Sequence, residues 1–194
     1  MARTVAIWVA LAAVIAWPVA IAATSPLLAY RDAIYIAASF TGIGALVLLL
    51  VQPLLIGGFL PGLNRLQERR LHRGLGPALV GLIVLHVAAL YLTSPPDVVD
   101  ALLLRSPTPF SVWGVAAMAA AFAVAGSVAL RRRLRLRTWR LLHNTLVVVL
   151  AVGTVVHAML IEGAMGTWTK TLLCALVLVA VAVVTIRLWR PRAS

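Results

Sequence analysis

Apolar residues run along this chain in six blocks, each closed by charges, prolines or glycines: Val5–Ala23, Ala33–Phe59, Leu71–Leu92, Phe110–Leu130, Trp139–Ile161 and Thr169–Trp189. Each block is close to the roughly 20 residues that carry a helix across a bilayer. None shows the apolar/polar alternation of a barrel strand, and unpaired backbone groups in hydrocarbon leave helix as the only other spanning structure. The pattern therefore predicts an all-α, polytopic membrane helix bundle with six transmembrane helices, a single domain over residues 1–194. The segments between them are short: Thr24–Asp32, Leu60–Arg70, Thr93–Pro109, Arg131–Thr138 and Glu162–Trp168. The longest, Thr93–Pro109, contains Pro95-Pro96 and Ser106-Pro107-Thr108-Pro109 and reads as a loop. Trp17-Pro18 and Gln52-Pro53 lie within spans and are expected to bend them, because proline removes a helix hydrogen bond.

Composition agrees with lipid as the main solvent. Hydrophobic residues make up 63% of the chain and charged ones 11%, with a mean hydropathy of +1.05. The polar residues of so apolar a chain would not cover a water-soluble surface. A net charge of +12 suggests nucleic acid at first, but the placement of the charges explains it differently. Fourteen of 17 basic residues fall on one side: Arg3, Arg65, Arg69, Arg70, Arg73, the six from Arg131 to Arg140, Arg187, Arg190 and Arg192. Arg31, Arg105 and Lys170 fall on the other, with Asp32, Asp97, Asp100 and Glu162. The positive-inside rule then puts both termini in the cytoplasm and removes any need for a nucleic-acid partner. Trp113, Trp139, Trp168 and Trp189 near span ends form an interfacial belt. The basic start, the apolar Val5–Trp17 and Ala20-Ile21-Ala22 also resemble a cleavable signal; its removal would leave five helices in the same orientation. Cys174 is the lone cysteine, so no disulfide forms within the chain, and no C-x-x-C-H is present for covalent haem attachment.

All four histidines lie in the third and fifth blocks. His72 and His86 are 14 positions apart, as are His143 and His157. Fourteen residues of helix leave a net rotation of only about 40° and rise about 21 Å, so each pair shares one face and spans most of the membrane. Both blocks start from the arginine-rich side, which sets His72 level with His143 and His86 level with His157. Buried polar side chains in lipid are costly and commonly functional. Each level offers two imidazoles, with no Cys, Asp or Glu nearby to complete a tetrahedral zinc site. Two opposed imidazoles are what a six-coordinate haem needs as axial ligands, and such iron keeps no open position. Gly76 and Gly153, each a turn from a histidine on the ligand face, would let a flat ring approach; helix packing explains them equally well.

These residues carry a resemblance. The doubled H-x13-H, Arg69-Arg70-Leu71-His72-Arg73-Gly74-Leu75-Gly76, Trp139-Arg140-Leu141-Leu142-His143-Asn144 and Ser39-Phe40-Thr41-Gly42 together resemble the ferric reductase-like transmembrane domain. That superfamily includes NADPH oxidases, ferric reductases and the haem-binding membrane subunit of a bacterial methionine sulfoxide reductase system. The resemblance implies two haem b groups, the inner on His72 and His143 and the outer on His86 and His157. It implies a bacterial inner (cytoplasmic) membrane protein moving electrons to an outer-side acceptor, protein or small molecule. Unlike the larger oxidases, the chain carries no flavin or nicotinamide domain, so a cytoplasmic flavin reductase or a quinol is expected as donor. Any flavin or quinone would come from, or be shared with, that partner. Respiratory cytochrome b uses the same histidine interval, but its Pro-Glu-Trp-Tyr motif is absent here; di-haem cytochromes of the b561 type compete more weakly.

Other residues carry less. Arg140, a turn before His143, is the first candidate for a haem propionate and Arg73 the second, within a cluster that topology largely explains. Arg105 and Lys170 are weaker outer-side candidates. Met159 lies two residues from His157 and faces elsewhere, while Trp113, Phe122 and Tyr91 read chiefly as lipid or core contacts. Two other classes stay open on sequence alone. A small transporter would use the histidines as ion or proton sites, and a purely structural subunit would use them for neither.

Overall fold

The computed structural model describes residues 1–189; Arg190 and Arg192, placed above on the basic side, lie outside them. Helices α1 (Ala2–Ala23), α2 (Ala33–Gly57), α3 (Arg65–Thr93), α4 (Pro95–Leu102), α5 (Pro109–Ala129), α6 (Leu136–Leu160) and α7 (Thr167–Trp189) follow in order. All except α4 are long and apolar enough to cross a membrane. Among the described residues there is no strand. Helices α1 and α2 run unbroken through Pro18 and Pro53, both buried.

Two larger differences separate the structure from the sequence expectation. Helix α3 begins at Arg65, inside what reads as a charged loop. Asn64 caps it: its side chain accepts from Leu66 N at 3.1 Å and Gln67 N at 3.0 Å, and Gln67 Oε1 accepts from Asn64 N at 2.9 Å. This reciprocal cap satisfies free amides that would otherwise fray the turn. The 29-residue α3 is about 44 Å long, well beyond a hydrocarbon core of about 30 Å, so its arginine-rich start projects from the apolar layer.

The Thr93–Pro109 segment is the second difference, for it contains α4. Its prolines, Pro95 and Pro96, occupy the first helical turn, where a missing N–H costs nothing and a fixed φ favours helix. Val98, Val99 and Leu102 alternate with Asp97 and Asp100 at helical spacing, giving a short amphipathic helix suited to a membrane surface.

Packing divides the bundle into two hairpins and a brace. Helices α2 and α3 pack along their length, and so do α5 and α6; α7 lies against α2 and α6, with α1 outside it. The shared core joins Leu46, Leu49 and Leu50 of α2 to Ala117 and Ala121 of α5, Leu150 and Ala151 of α6, and Leu173, Cys174 and Val177 of α7. Small residues on α5 let backbones approach closely, as membrane helix packing favours. Helices α3 and α6 behave differently. Each leans on its own hairpin partner, and they are not packed against each other. Direct packing at the usual 8–10 Å between axes would leave no space between the faces they present.

Candidate functional site

The imidazoles of α3 and α6 fall into two layers. His72 lies within electrostatic range of His143, and His86 within range of His157. All four rings are part-buried. Among the described residues no three His, Cys, Asp or Glu side chains gather at one point.

The layer far from the arginine-rich end is built twice from the same parts. His86 Nδ1 donates to the carbonyl of Ala38 on α2 at 2.7 Å. His157 Nδ1 donates to the carbonyl of Phe110 on α5 at 2.8 Å. A carbonyl oxygen only accepts, so in both rings the proton is on Nδ1 and the Nε2 lone pair is free. A bond from the second ring nitrogen to a carbonyl is what orients a ligating histidine and raises its basicity.

Glycine completes both halves. Four residues after Ala38 comes Gly42, where a Cβ would stand 3.0 Å from His86 Nδ1 and Cε1. Four residues after Phe110 comes Gly114, where a Cβ would stand 2.7 Å from His157 Nδ1 and 2.8 Å from Cε1. Each imidazole thus sets its Nδ1 edge against a neighbouring helix whose backbone is both its acceptor and its seat. Phe110 adds a ring edge-on to His157, centroids 5.9 Å apart at 70°.

The layer near the arginines is asymmetric. His72 Nδ1 lies 2.5 Å from the side-chain amide of Gln52 on α2, which is buried. His143 Nδ1 is buried with no hydrogen-bond partner, as is Trp139 Nε1. Trp139 stacks on His143, centroids 5.2 Å apart at 28°, and the Arg131 guanidinium lies 4.9 Å over the Trp139 ring.

Other residues singled out in the sequence fall in varied places. Gly153 faces α5, its Cβ position 3.2 Å from Ala117 Cβ and from the Trp113 carbonyl, which is a helix-packing position. Gly76 faces α2, with the Gln52 amide 3.8 Å from its Cβ position. Arg73 turns its Nε back to the Arg69 carbonyl at 3.3 Å, while Arg140 is exposed. Lys170 is buried and donates to the Ile161 carbonyl at 2.6 Å, at the end of α6. Arg105 contributes its backbone amide to the turn after α4, donating to the Asp100 carbonyl at 2.7 Å. Met159 Sδ accepts from the Thr171 hydroxyl at 3.9 Å, toward α7. Tyr91 and Phe122 line an apolar groove between α3, α4 and α5. Gln52, Gly114 and Trp139 are the site residues that sequence reasoning passed over. Signals exist for the last two: a glycine recurs 44 positions before a histidine on α3 and 43 before one on α6, and Trp139 stands one helical turn ahead of His143.

Six candidate membrane spans thus carry four imidazoles on two helices, and two of those rings commit their proton to a backbone carbonyl. Residues 39–154, more than half of the chain, match the family model of the ferric reductase like transmembrane component, and the chain belongs to this family. Domains of this family generally bind haem. The match runs from α2 into α6, takes in His72, His86 and His143, and stops just short of His157. No curated protein and no solved structure matches the chain.

The residues present suit such a group. In the outer layer the Nε2 lone pairs are unprotonated on rings from two separate hairpins, and a glycine lies against the Nδ1 edge of each. Axial ligation of a porphyrin asks for a free lone pair on each side and a fixed ring orientation.

Proposed function

We propose that this protein is a b-type cytochrome of the bacterial inner membrane that conducts electrons through two stacked haems. His72 and His143 would hold the inner group, and His86 and His157 the outer. A cytoplasmic flavin reductase or a quinol supplies the electrons, and a protein or small molecule on the outer side takes them. When bound, haem iron supplies reversible one-electron chemistry, and ligation by two imidazoles leaves it no open position. The chain itself contributes ligation, spacing and a dry low-dielectric surround, which are what a protein adds to a redox cofactor.

The observation that carries this reading is the pairing of His86 with His157, each ring proton committed to a backbone carbonyl. Each ring thereby keeps its Nε2 lone pair free and its orientation fixed, which is what axial ligation of iron asks of an imidazole. Arg140 and Arg73 remain the propionate candidates at the inner end, with the unpaired Trp139 Nε1, on the ring that stacks on His143, as a further donor.

Spectroscopy of protein purified from haem-replete cells tests the proposal. The expected result is a dithionite-reducible b-type spectrum with low-spin, bis-imidazole electron paramagnetic resonance features. Colourless protein that is folded and monodisperse in detergent would end it.

A further inference from the structure

The arginine-rich end of the bundle holds a cavity that the histidines do not use. It encloses about 360 Å³ where the first turns of α1 meet the turn between α2 and α3, and Arg3, Thr4, Ile7, Gly58, Phe59 and Pro61 line it. Local structure builds it. Gly58 ends α2 in the left-handed region at φ 69°, which glycine adopts without strain, and the chain there turns Phe59 back against Gly57. Trp8 Nε1 donates to the Pro61 carbonyl at 3.0 Å and ties α1 to that turn.

Three guanidinium groups meet these walls. Arg3 is part of the lining. Arg187 of α7 lies 4.7 Å over the Phe59 ring, and Arg65 Nη1 is 2.5 Å from where a Cβ on Gly58 would stand. Glu68 is the one acidic side chain in the segments at this end, and it is buried and paired with Arg65 at 3.2 Å. Arg3 and Arg187 therefore have no carboxylate side chain to neutralise them and must take their counter-charge from outside. The positive-inside rule accounts for the sign of these residues, not for their gathering around one concavity. The rest of the wall is apolar through Ile7 and Phe59, and the exposed Val5, Trp8 and Val9 carry that character along α1 toward the bilayer.

We infer that this cavity seats the phosphate of an anionic phospholipid, with Arg3 and Arg187 as its counter-charges and the acyl chains lying along α1. Arginine presents a planar fork that matches phosphate oxygens, and basic pockets between membrane helices suit anionic headgroups. A soluble anion would neutralise the arginines but leave the apolar wall facing water; a phospholipid covers both. The site stands apart from the histidine layers and is independent of the haem reading.

Native mass spectrometry of the full-length protein, delipidated in detergent and then offered phosphatidylglycerol or phosphatidylcholine at equal concentration, tests this. Wild type is expected to favour phosphatidylglycerol, with about fivefold from each arginine and about 25-fold from the two. Arg3→Gln and Arg187→Gln should each lower the preference about fivefold, and the double variant should abolish it. Arg132→Gln, exposed in the turn between α5 and α6, should leave it in place. Equal binding of the two lipids by wild type, a preference kept by the double variant, or an equal loss in Arg132→Gln refutes the site. Displacement of phosphatidylglycerol by millimolar inorganic phosphate refutes the lipid and assigns the cavity to a soluble anion. Should the double variant not fold, the single variants decide, and an unchanged preference in both refutes the site.

Discussion

His157 rests on Gly114 so closely that a methyl group at that glycine would stand 2.7 Å from the ring nitrogen that bonds Phe110. His86 stands on Gly42 in the same manner at 3.0 Å. The first spacing is below any contact a real Cβ makes, and the obstacle is a ring whose same nitrogen is held by the Phe110 carbonyl of that helix. Gly114→Ala should therefore push His157 out of register, at an overpacking cost of about 1–3 kcal/mol. Outer-haem absorbance should fall or its spectrum shift, with Gly42→Ala following more weakly. Gly81 on α3 faces open space and serves as the comparison. Alanine there should keep the full spectrum and melt at the same temperature or higher, since alanine favours helix over glycine by about 0.5–1 kcal/mol. Equal tolerance of alanine at Gly114 and Gly81 would show that the seat is not needed.

The layers also make a prediction about which histidines fail together. His72 lies within electrostatic range of His143 and His86 within range of His157, with about 21 Å of helix rise between the two layers. His72→Ala and His143→Ala should each halve the haem content and leave the same remaining spectrum. His86→Ala and His157→Ala should leave the complementary one. Pyridine haemochrome analysis with low-temperature spectra reads both quantities. If His72→Ala instead matched His86→Ala, ligands would be paired within a helix, which their axial separation of about 21 Å forbids.

How far this site could be read beforehand depends on what kind of group each part is. The spans were legible because twenty apolar residues in a row admit one structure in lipid, and the levels of His72, His86, His143 and His157 follow from helix arithmetic alone. The acceptors of Ala38 and Phe110 were not legible, since a backbone carbonyl is the same at every residue. Gly42 and Gly114 look like ordinary membrane-helix glycines until a ring is found against them. Gln52 drew notice only for standing before Pro53, and Gly153, an equal candidate for ring contact or packing, lies against α5. Helix α4 hid behind its prolines, which break a helix in its middle but begin one at its first turn.

Lys170 offers a test of stability outside the histidines. Its buried ammonium donates to the Ile161 carbonyl at 2.6 Å, one turn beyond His157. The last carbonyls of a helix lack intrahelical partners, and a cation there also meets the negative end of the dipole. Lys170→Met keeps the apolar stem and removes the charge, leaving that carbonyl unsatisfied at a cost of about 1–3 kcal/mol. Thermal unfolding in detergent should shift downward, with outer-haem loss preceding inner-haem loss on heating. An unchanged melt would mean that water or lipid headgroups satisfy Ile161 equally well.

Which layer receives electrons first is a question of orientation, and the charges make a definite prediction. Arg131, Arg132 and Arg133 form a short 3₁₀ turn between α5 and α6, while Glu162 follows α6 at its other end. Basic loops stay on the cytoplasmic side during insertion, so His72 and His143 should lie nearer the cytoplasm. Cys174, the chain's one cysteine, is buried in the core, so Cys174→Ala gives a silent background for reporter cysteines. In intact cells a membrane-impermeant maleimide should label Glu162→Cys, and should reach Arg133→Cys only after the membrane is opened. The reverse pattern would turn the protein over: the Trp139–His143 layer would then face the acceptor, and the carbonyl-locked layer of His86 and His157 would be first to meet the donor.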